Sequence, residues 1–509
     1  MPIAVALVAH GIGIGGEFVA DDIPDIVEHP IVGGGESLAG LLDYNYMGEP
    51  RGQGANTLRP LATLELAIEW RLFGNRPAVF HLITLAWFVL LVLAVQRTLR
   101  RLVSETAAVW GAALFAAMAI HVDAVAMTAN RPEVCSLALA LFALGSALDG
   151  KGVRSVVLYL AAVLYKESAF LTPAVIAWWL ISTEGIAALA WRRRGRVVLA
   201  LAFAAATFFA ARSALLSVDI EAFILPADNP LLGESLAVRS WMPMVLLGEY
   251  LQLSFAPIDL AFDYTYAAIP VDANLGRLSG WLGLLFASLL TAIVALRLRR
   301  GERAGTTLRN LAAVAGGFAL SYALFSNSVL LIVTLFAERL FLAPSFFLVA
   351  GLTCAAVAVV PRIEARGVRQ LLAIGAALFI ALQVLLAAQR TVETSNSRTL
   401  LAAQVEAQPD SVKGHLYYAR ELGRAGEYEE AVWHLAIATA GRNRFPRPFV
   451  APRLAGAPIA ERYAALPELL APGDPPTAFW PAFRAFAVRR LGAGAGLAID
   501  RVAGYSARP

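Results

Sequence analysis

Apolar stretches recur along the chain, near residues 3–18, 76–96, 106–120, 131–148, 155–165, 168–182, 197–215, 279–297, 308–325, 339–360 and 370–388; several, notably 155–165, are short for a straight crossing of about 20 residues, so broken or tilted helices are expected. A stretch of that kind faces lipid or a buried core, and in lipid every backbone N–H and C=O must be satisfied within the segment, which helices do. The composition agrees: 58% of residues are hydrophobic and 16% charged, with a mean hydropathy of +0.64. Soluble domains run at roughly 45–50% and about 25%, so a large water-facing surface, disorder and fibrous structure are excluded. Strict alternation of barrel type is absent. The expected fold is all-α: a polytopic membrane helical bundle of about eleven transmembrane helices over residues 1–389. A small helical unit at 390–445 and a Pro-rich, partly helical segment at 446–509 follow.

Charge orients the bundle. Basic clusters stand at Arg97, Arg100 and Arg101; at Lys151 and Arg154; at Arg192, Arg193, Arg194 and Arg196; at Arg297, Arg299, Arg300 and Arg303; and at Arg362, Arg366 and Arg369. They fall in every second loop, which assigns those loops to the cytoplasm. Eleven crossings then put the N-terminus inside, the C-terminal tail outside, and the polar loops 19–75, 121–130, 165–167, 216–278 and 326–338 together on the outer side. The apolar stretch 241–256 fits no crossing under this parity and is expected to be re-entrant or interfacial. Net charge is only +4, which points to no nucleic-acid partner. Cys135 and Cys354 lie in apolar runs and read as small buried hydrophobes.

Ionisable groups at membrane depth are costly and functional by default. Five clusters qualify. Asp21 and Asp22 follow the first helix, with Asp25 and Glu28 one turn on; adjacent acids can divide into a general base and an electrostatic partner. Arg59 precedes the amphipathic run 58–74, expected to lie on the bilayer surface, where Arg59 and Arg71 meet lipid phosphate or snorkel to headgroups. His121, Asp123 and Arg131 crowd one short loop without the spacing of a metal site. Lys166 and Glu167 are adjacent and need separate partners; Lys166 suits an anionic group. Glu338 and Arg339 open a long crossing, with Arg339 suited to clamping a phosphate. Together these carboxylates and cations suit transfer of a group from a lipid phosphate to a hydroxyl. No phosphate-binding Gly-rich loop, nucleophile elbow or zinc motif is present.

The motifs and their order resemble the transmembrane, tetratricopeptide-containing O-mannosyltransferases and their bacterial relatives, within the GT-C glycosyltransferase superfamily. FVADDIPDIVEHP resembles the aromatic-x-x-Asp-Asp loop, LRPLATLELAIEWRLFG the Arg-Pro-Leu segment, and IHVDAVAMTANR the His-x-Glu-Ala-Val…Arg loop. YKESAFLTP, GEYLQLSFAPIDLAFDYTYAAIP and AERLFLAPS follow in order. The stretch 410–440 then resembles one tetratricopeptide unit, two amphipathic helices about a turn at Gly423–Gly426. The resemblance covers about residues 18–440. Met118-Ala119 stand where the family often has His-Pro, Asp123 where it has Glu, and Leu342 where it has Tyr.

The resemblance implies a polyprenyl-phosphate-sugar donor held in the bilayer, a hexose such as mannose, and a protein or glycan acceptor on the non-cytoplasmic side. It makes Asp21 or Asp22 the base. It gives Lys166, Glu167, Glu338 and Arg339 donor-site roles beside Arg59 and Arg131, with His121, Asp123 and Tyr264 in support. No metal ligand is assigned and no cofactor is certain, a divalent cation being compatible. The tail is expected to present the acceptor or a protein partner. Ala/Arg-rich, Lys-poor usage points to a GC-rich bacterium and its inner membrane. The competing classes are a secondary transporter, against which the lack of internal symmetry counts, and a catalytically inactive scaffold acting through its tail.

Overall fold

The computed structural model describes residues 1–51, 57–189, 193–215, 224–225, 228–444, 449–454, 456–471 and 476–502. Arg192 of the third basic cluster, and parts of loops 19–75 and 216–278 and of segment 446–509, lie outside the described residues. Helices dominate, and the β pairing among the described residues is one isolated bridge between Tyr44 and Pro50. The body consists of α1 (Pro2–His10), α2 (Pro60–Phe73), α3 (Pro77–Leu99), α4 (Glu105–Ala117), α5 (Val122–Ala126), α6 (Arg131–Leu148), α7 (Gly152–Tyr165), α8 (Thr172–Glu184), α9 (Arg193–Leu215), α10 (Leu236–Phe255), α11 (Leu278–Arg300), α12 (Thr306–Ala323), α13 (Leu342–Val359) and α14 (Arg366–Glu393).

Among the described residues, six helical segments are long and apolar enough to cross a membrane: Pro77–Leu99, Thr128–Leu148, Arg194–Ser213, Leu278–Arg303, Glu338–Arg362 and Arg366–Glu393. The bent pair Glu105–Ala117 and Ala119–Ala126 makes a seventh if taken as one span. Length and composition thus support fewer crossings than the expected eleven. The shortfall has a plain cause: α7 and α8 have 14 and 13 residues, against about 20 for a straight crossing. On α11 and α14 the apolar side chains of Leu282, Leu285, Leu289, Leu371, Leu378 and Leu385 are exposed, as lipid-facing surfaces are.

The loops bearing the basic clusters meet at one end of the bundle. Arg101 and Arg97 pair with Asp149, Arg297 donates to the Ser182 carbonyl, Arg309 to that of Thr183 and Asn310 to that of Leu102. The polar loops singled out from the sequence gather at the other. There α4 breaks at Met118 and resumes after a bend of 57°. The freed Ala119 N–H donates to the buried Gln383 side chain of α14 at 3.1 Å, and Gln383 in turn donates to the Ser254 carbonyl at 3.2 Å. A helix broken at membrane depth needs such substitutes for its lost backbone bonds.

The segment expected to be re-entrant or interfacial lies in the 20-residue α10, which carries Pro243 inside it. It packs against α11 with almost no side chain between them: a Cβ on Gly248 would stand 1.8 Å from the Ser279 carbonyl oxygen, and one on Gly283 2.0 Å from that of Met244. Small residues permit that approach.

The tail begins with α15 (Ser397–Ala407), α16 (Val412–Arg424) and α17 (Tyr428–Arg444). Between α14 and α15 the chain breaks at 394–396, where Asn396 caps α15 by accepting from Thr399 N at 3.0 Å. Gly426 turns α16 into α17 at φ +80°. Helices α18 (Ile459–Ala464), α19 (Leu466–Leu470), α20 (Pro476–Leu491) and α21 (Ala493–Val502) follow, and Trp433, Tyr463, Phe483 and Ile499 share one buried core. The C-terminal segment therefore supplies the faces that a single helix pair cannot bury alone. Gln404, fully buried, fastens the tail to the body. Its Oε1 accepts from Phe262 N and Asp263 N at 3.0 and 3.2 Å, and its Nε2 donates to the Asp263 carbonyl at 2.7 Å.

Candidate functional site

The loop after α1 is set by one strained residue. Ala20 adopts φ +46°, a left-handed conformation costing a non-glycine residue about 1–3 kcal/mol, which a structure holds only where its surroundings impose it. The reversal hands Asp21 and Asp22 to a single helical turn at Ile23–Val27. Asp22 points inward and is fully buried; its Oδ1 accepts from Ala129 N at 2.7 Å and its Oδ2 from Val19 N at 3.3 Å. Burial pushes this carboxyl up to about 7, against the pull of those two N–H groups. Asp21 is half-buried, and among the described residues its carboxylate has no hydrogen-bond or ion-pair partner. Asp25 is 5% exposed, and its Oδ1 is buried without a partner.

The folded-state value of Asp22 fixes a pH effect. Its carboxyl ordinarily titrates at 3.8 and in the fold at about 7, so the folded form holds the proton more tightly. The stability this contributes is complete below about pH 4 and is lost progressively as pH rises through 7. Thermal midpoints in detergent should fall over that window relative to Asp22→Asn, which cannot titrate. Parallel curves for the two proteins would refute the assignment.

Segment 119–130 carries the opposite wall. Ala129 is its hub, donating its N–H to Asp22 and accepting the Tyr46 hydroxyl at 2.8 Å. Asp123 Oδ1 accepts from Asn130 at 3.0 Å, while Oδ2 accepts from the Arg339 N–H at 3.1 Å and its Nη1 at 3.4 Å. The Tyr264 hydroxyl and Ala261 N each donate to Glu338 Oε1 at 2.7 Å, and the buried Oε2 has no partner. His121, Asp123 and Arg131, neighbours in sequence, take separate partners. His121 Nε2 meets Ser345 Oγ at 2.8 Å. Arg131 donates to Thr84 Oγ1 at 2.8 Å, the Phe80 carbonyl at 2.9 Å and Glu69 at 2.5 Å. Consecutive short helical turns point the three side chains apart. With its side chain 1% exposed and all three of its nitrogens bonded to α2 and α3, Arg131 is a brace between α2, α3 and α6.

The remaining cations differ in what holds them. Arg59 grips Glu167 with two bonds, of 2.9 and 3.2 Å, and lies over the Tyr46 ring at 5.0 Å. Lys166 Nζ lies 2.5 Å from Glu133 in a buried pair, so Lys166 and Glu167 do face separate partners. Arg339 is the least committed of them, with its side chain 21% exposed and its guanidinium held, among the described residues, by the 3.4 Å contact with Asp123. Arg71, expected at lipid phosphate, instead donates to the carbonyls of Ile31, Glu36 and Ala67. Helix α2 does not lie free on a surface: Ala62, Leu66, Ala67 and Glu69 are buried.

Asp21, Asp25, Arg59 and Arg339 are near enough for their charges to act on one another. The tail reaches the same mouth. Lys413 stands 3.7 Å from Asp263 and 3.7 Å from Asp228, within electrostatic reach of Asp21. Val19, Ala20 and Tyr417 belong to one apolar cluster. Beside Tyr264 opens a groove of about 1500 Å³, lined by Leu253, Leu282, Leu285, Phe286, Phe336 and Leu348 among others. Among the described residues no three His, Cys, Asp or Glu side chains are gathered as a metal-ion set.

Glu133, Tyr46, Lys413 and Gln404 were not assigned to the site from sequence. Glu133 opens α6 two residues after Arg131, and its place among apolar residues was the available signal. Gln404 had none, since a glutamine on an amphipathic helix reads as solvated.

No family model matches the chain, and no solved structure matches it. Among curated proteins, Protein O-mannosyl-transferase Tmtc1 of Drosophila melanogaster is 27% identical over 301 residues, 52% of this chain and 34% of the relative. Protein O-mannosyl-transferase TMTC1 of Homo sapiens is 33% identical over 141 residues, 26% of this chain and 16% of the relative. The chain thus spans about a third or less of the length of the relatives it matches. This all-helical chain with membrane-length apolar helices is thus similar, over half its length to one and over a quarter to the other, to two proteins named as O-mannosyl-transferases.

Proposed function

We propose that the protein is an integral membrane glycosyltransferase of GT-C type. It moves one hexose, mannose by its likeness to the named relatives, from a polyprenyl-phosphate donor to a hydroxyl of a protein acceptor on the non-cytoplasmic face. The observation that carries this reading is the unengaged Asp21 carboxylate, presented by the strained Ala20 turn within electrostatic reach of the loosely held Arg339, with an apolar groove of about 1500 Å³ opening at Tyr264, which bonds the adjacent Glu338. In the step, the acceptor oxygen attacks the anomeric carbon and its proton passes to Asp21. The bond from that carbon to the phosphate oxygen breaks, and the electron pair leaves with the phosphate. Arg339, aligned by Asp123, meets the developing charge, with Arg59 behind it. Asp22 holds the loop rather than the proton, since both its oxygens are engaged. The polyprenyl chain lies in the groove beside Tyr264. A bacterial inner membrane, with the tail in the periplasm, fits the alternation of basic loops.

Arg339→Gln in proteoliposomes tests the phosphate assignment. Loss of a charged donor to phosphate should raise the donor KM about tenfold or more, with Arg339→Lys recovering only part because the two-pronged geometry is lost. An unchanged donor KM in Arg339→Gln would remove Arg339 from the donor site.

A further inference from the structure

Asp25 has no part in the step just described, yet it is the most conspicuous unspent group near it. It is 5% exposed, and its Oδ1 is buried with no hydrogen-bond partner. An oxygen left in that state is costly to bury, and native folds keep few such groups without a reason. Arg59 and Arg339 both lie within electrostatic reach of it, but neither is bonded to it: Arg59 is engaged by Glu167, and the Arg339 guanidinium has its 3.4 Å contact with Asp123. Asp25 N donates to the Asp21 carbonyl at 3.0 Å. The two acids are therefore one helical turn apart on one face, about 5–6 Å between their Cβ atoms.

We propose that Asp25 is the sugar-reading residue of the site, its carboxyl pairing with hydroxyls of the donor hexose while Asp21 addresses the acceptor at the anomeric carbon. This rests on the transferase reading above. A single turn of separation is comparable with the span of a pyranose ring, so both acids can reach one sugar at once. Burial, reinforced by the nearby Asp21, raises the Asp25 carboxyl above its ordinary range. A carboxyl held toward its neutral form can donate to one hydroxyl and accept from the next. Such a site rejects an epimer whose hydroxyl points elsewhere, because the buried oxygen is then left unpaired again.

The test compares intact protein, Asp25→Ala and Asp25→Asn in proteoliposomes supplied with polyprenyl-phosphate mannose, glucose or galactose. The intact chain should prefer one hexose by about 100-fold or more in kcat/KM. In Asp25→Ala that preference should collapse to within about fivefold, through loss on the preferred sugar, with Asp25→Asn between. The thermal midpoint of Asp25→Ala should hold or rise, since the side chain has no partner to lose. A lowered midpoint with an unchanged epimer ratio would make Asp25 structural and overturn the proposal while leaving the transferase standing. Absence of turnover by the intact chain with every donor would overturn both.

Discussion

Asp21→Asn should lower sugar transfer by about 10²–10⁴-fold, the range a positioned general base contributes, while protein level and thermal midpoint stay unchanged. The two halves of that expectation have one origin. Asp21 is half-buried and its carboxylate is unengaged among the described residues, so the amide removes a proton acceptor without breaking a contact. Its neighbour should behave in the opposite manner. Asp22 is sealed inside with both oxygens accepting backbone N–H bonds. Asn turns one of those acceptors into a donor facing a donor, so Asp22→Asn should lose stability and transfer together. A full loss of transfer in Asp22→Asn at unchanged stability, with Asp21→Asn active, would exchange the two roles.

The largest expected loss of stability belongs to a residue that does no chemistry. Arg131 and Glu69 have side chains 1% and 6% exposed and form one ion pair, with Glu65 3.7 Å from the same guanidinium. Removing one partner of a buried pair strands the other charge and costs about 3–5 kcal/mol. Arg131→Met should therefore fall well below the parent in thermal midpoint in detergent. Arg131→Met combined with Glu69→Met should recover much of the loss, because the stranded charge is gone and the volume is kept. A double variant no better than the single one would mean that Arg131 matters through its bonds to Thr84 and Phe80 instead.

These two expectations mark where sequence reasoning carries and where it stops. Membrane-length apolar runs are visible in one dimension because lipid imposes length and polarity on each segment separately. That logic located α3, α11 and α14 and the polar loops at one end. It does not fix the number of crossings where helices are short, as in α7 and α8, because a buried helix of 13 or 14 residues is as apolar as a spanning one. For the site, the pattern picked out charged residues in apolar surroundings but not the partners each would find. Arg131 and Arg339 look equivalent in the sequence. One is spent on Glu69, Thr84 and Phe80 and the other is barely held, a difference set by contacts across 47–216 residues of chain. Asp21 and Asp22 look equivalent too. Only the reach of Asp22 to Ala129, 107 residues away, separates them.

Glu338, Tyr264 and the tail illustrate the same limit in a chain of contacts. Gln404 holds the backbone at Phe262 and Asp263, Ala261 and Tyr264 hold Glu338, and the adjacent Arg339 meets Asp123. The tail is thereby tied to the candidate donor site through consecutive hydrogen bonds.

The central claim, that a sugar leaves a lipid phosphate at this site, is tested most directly by transfer of labelled mannose from polyprenyl-phosphate mannose to a Ser/Thr-containing peptide by the intact chain in proteoliposomes. The account predicts labelled peptide from the intact protein and almost none from Asp21→Asn at equal protein level. Equal labelling by the two proteins, or none by the intact chain across a panel of lipid-phosphate hexoses and acceptor peptides, would contradict it.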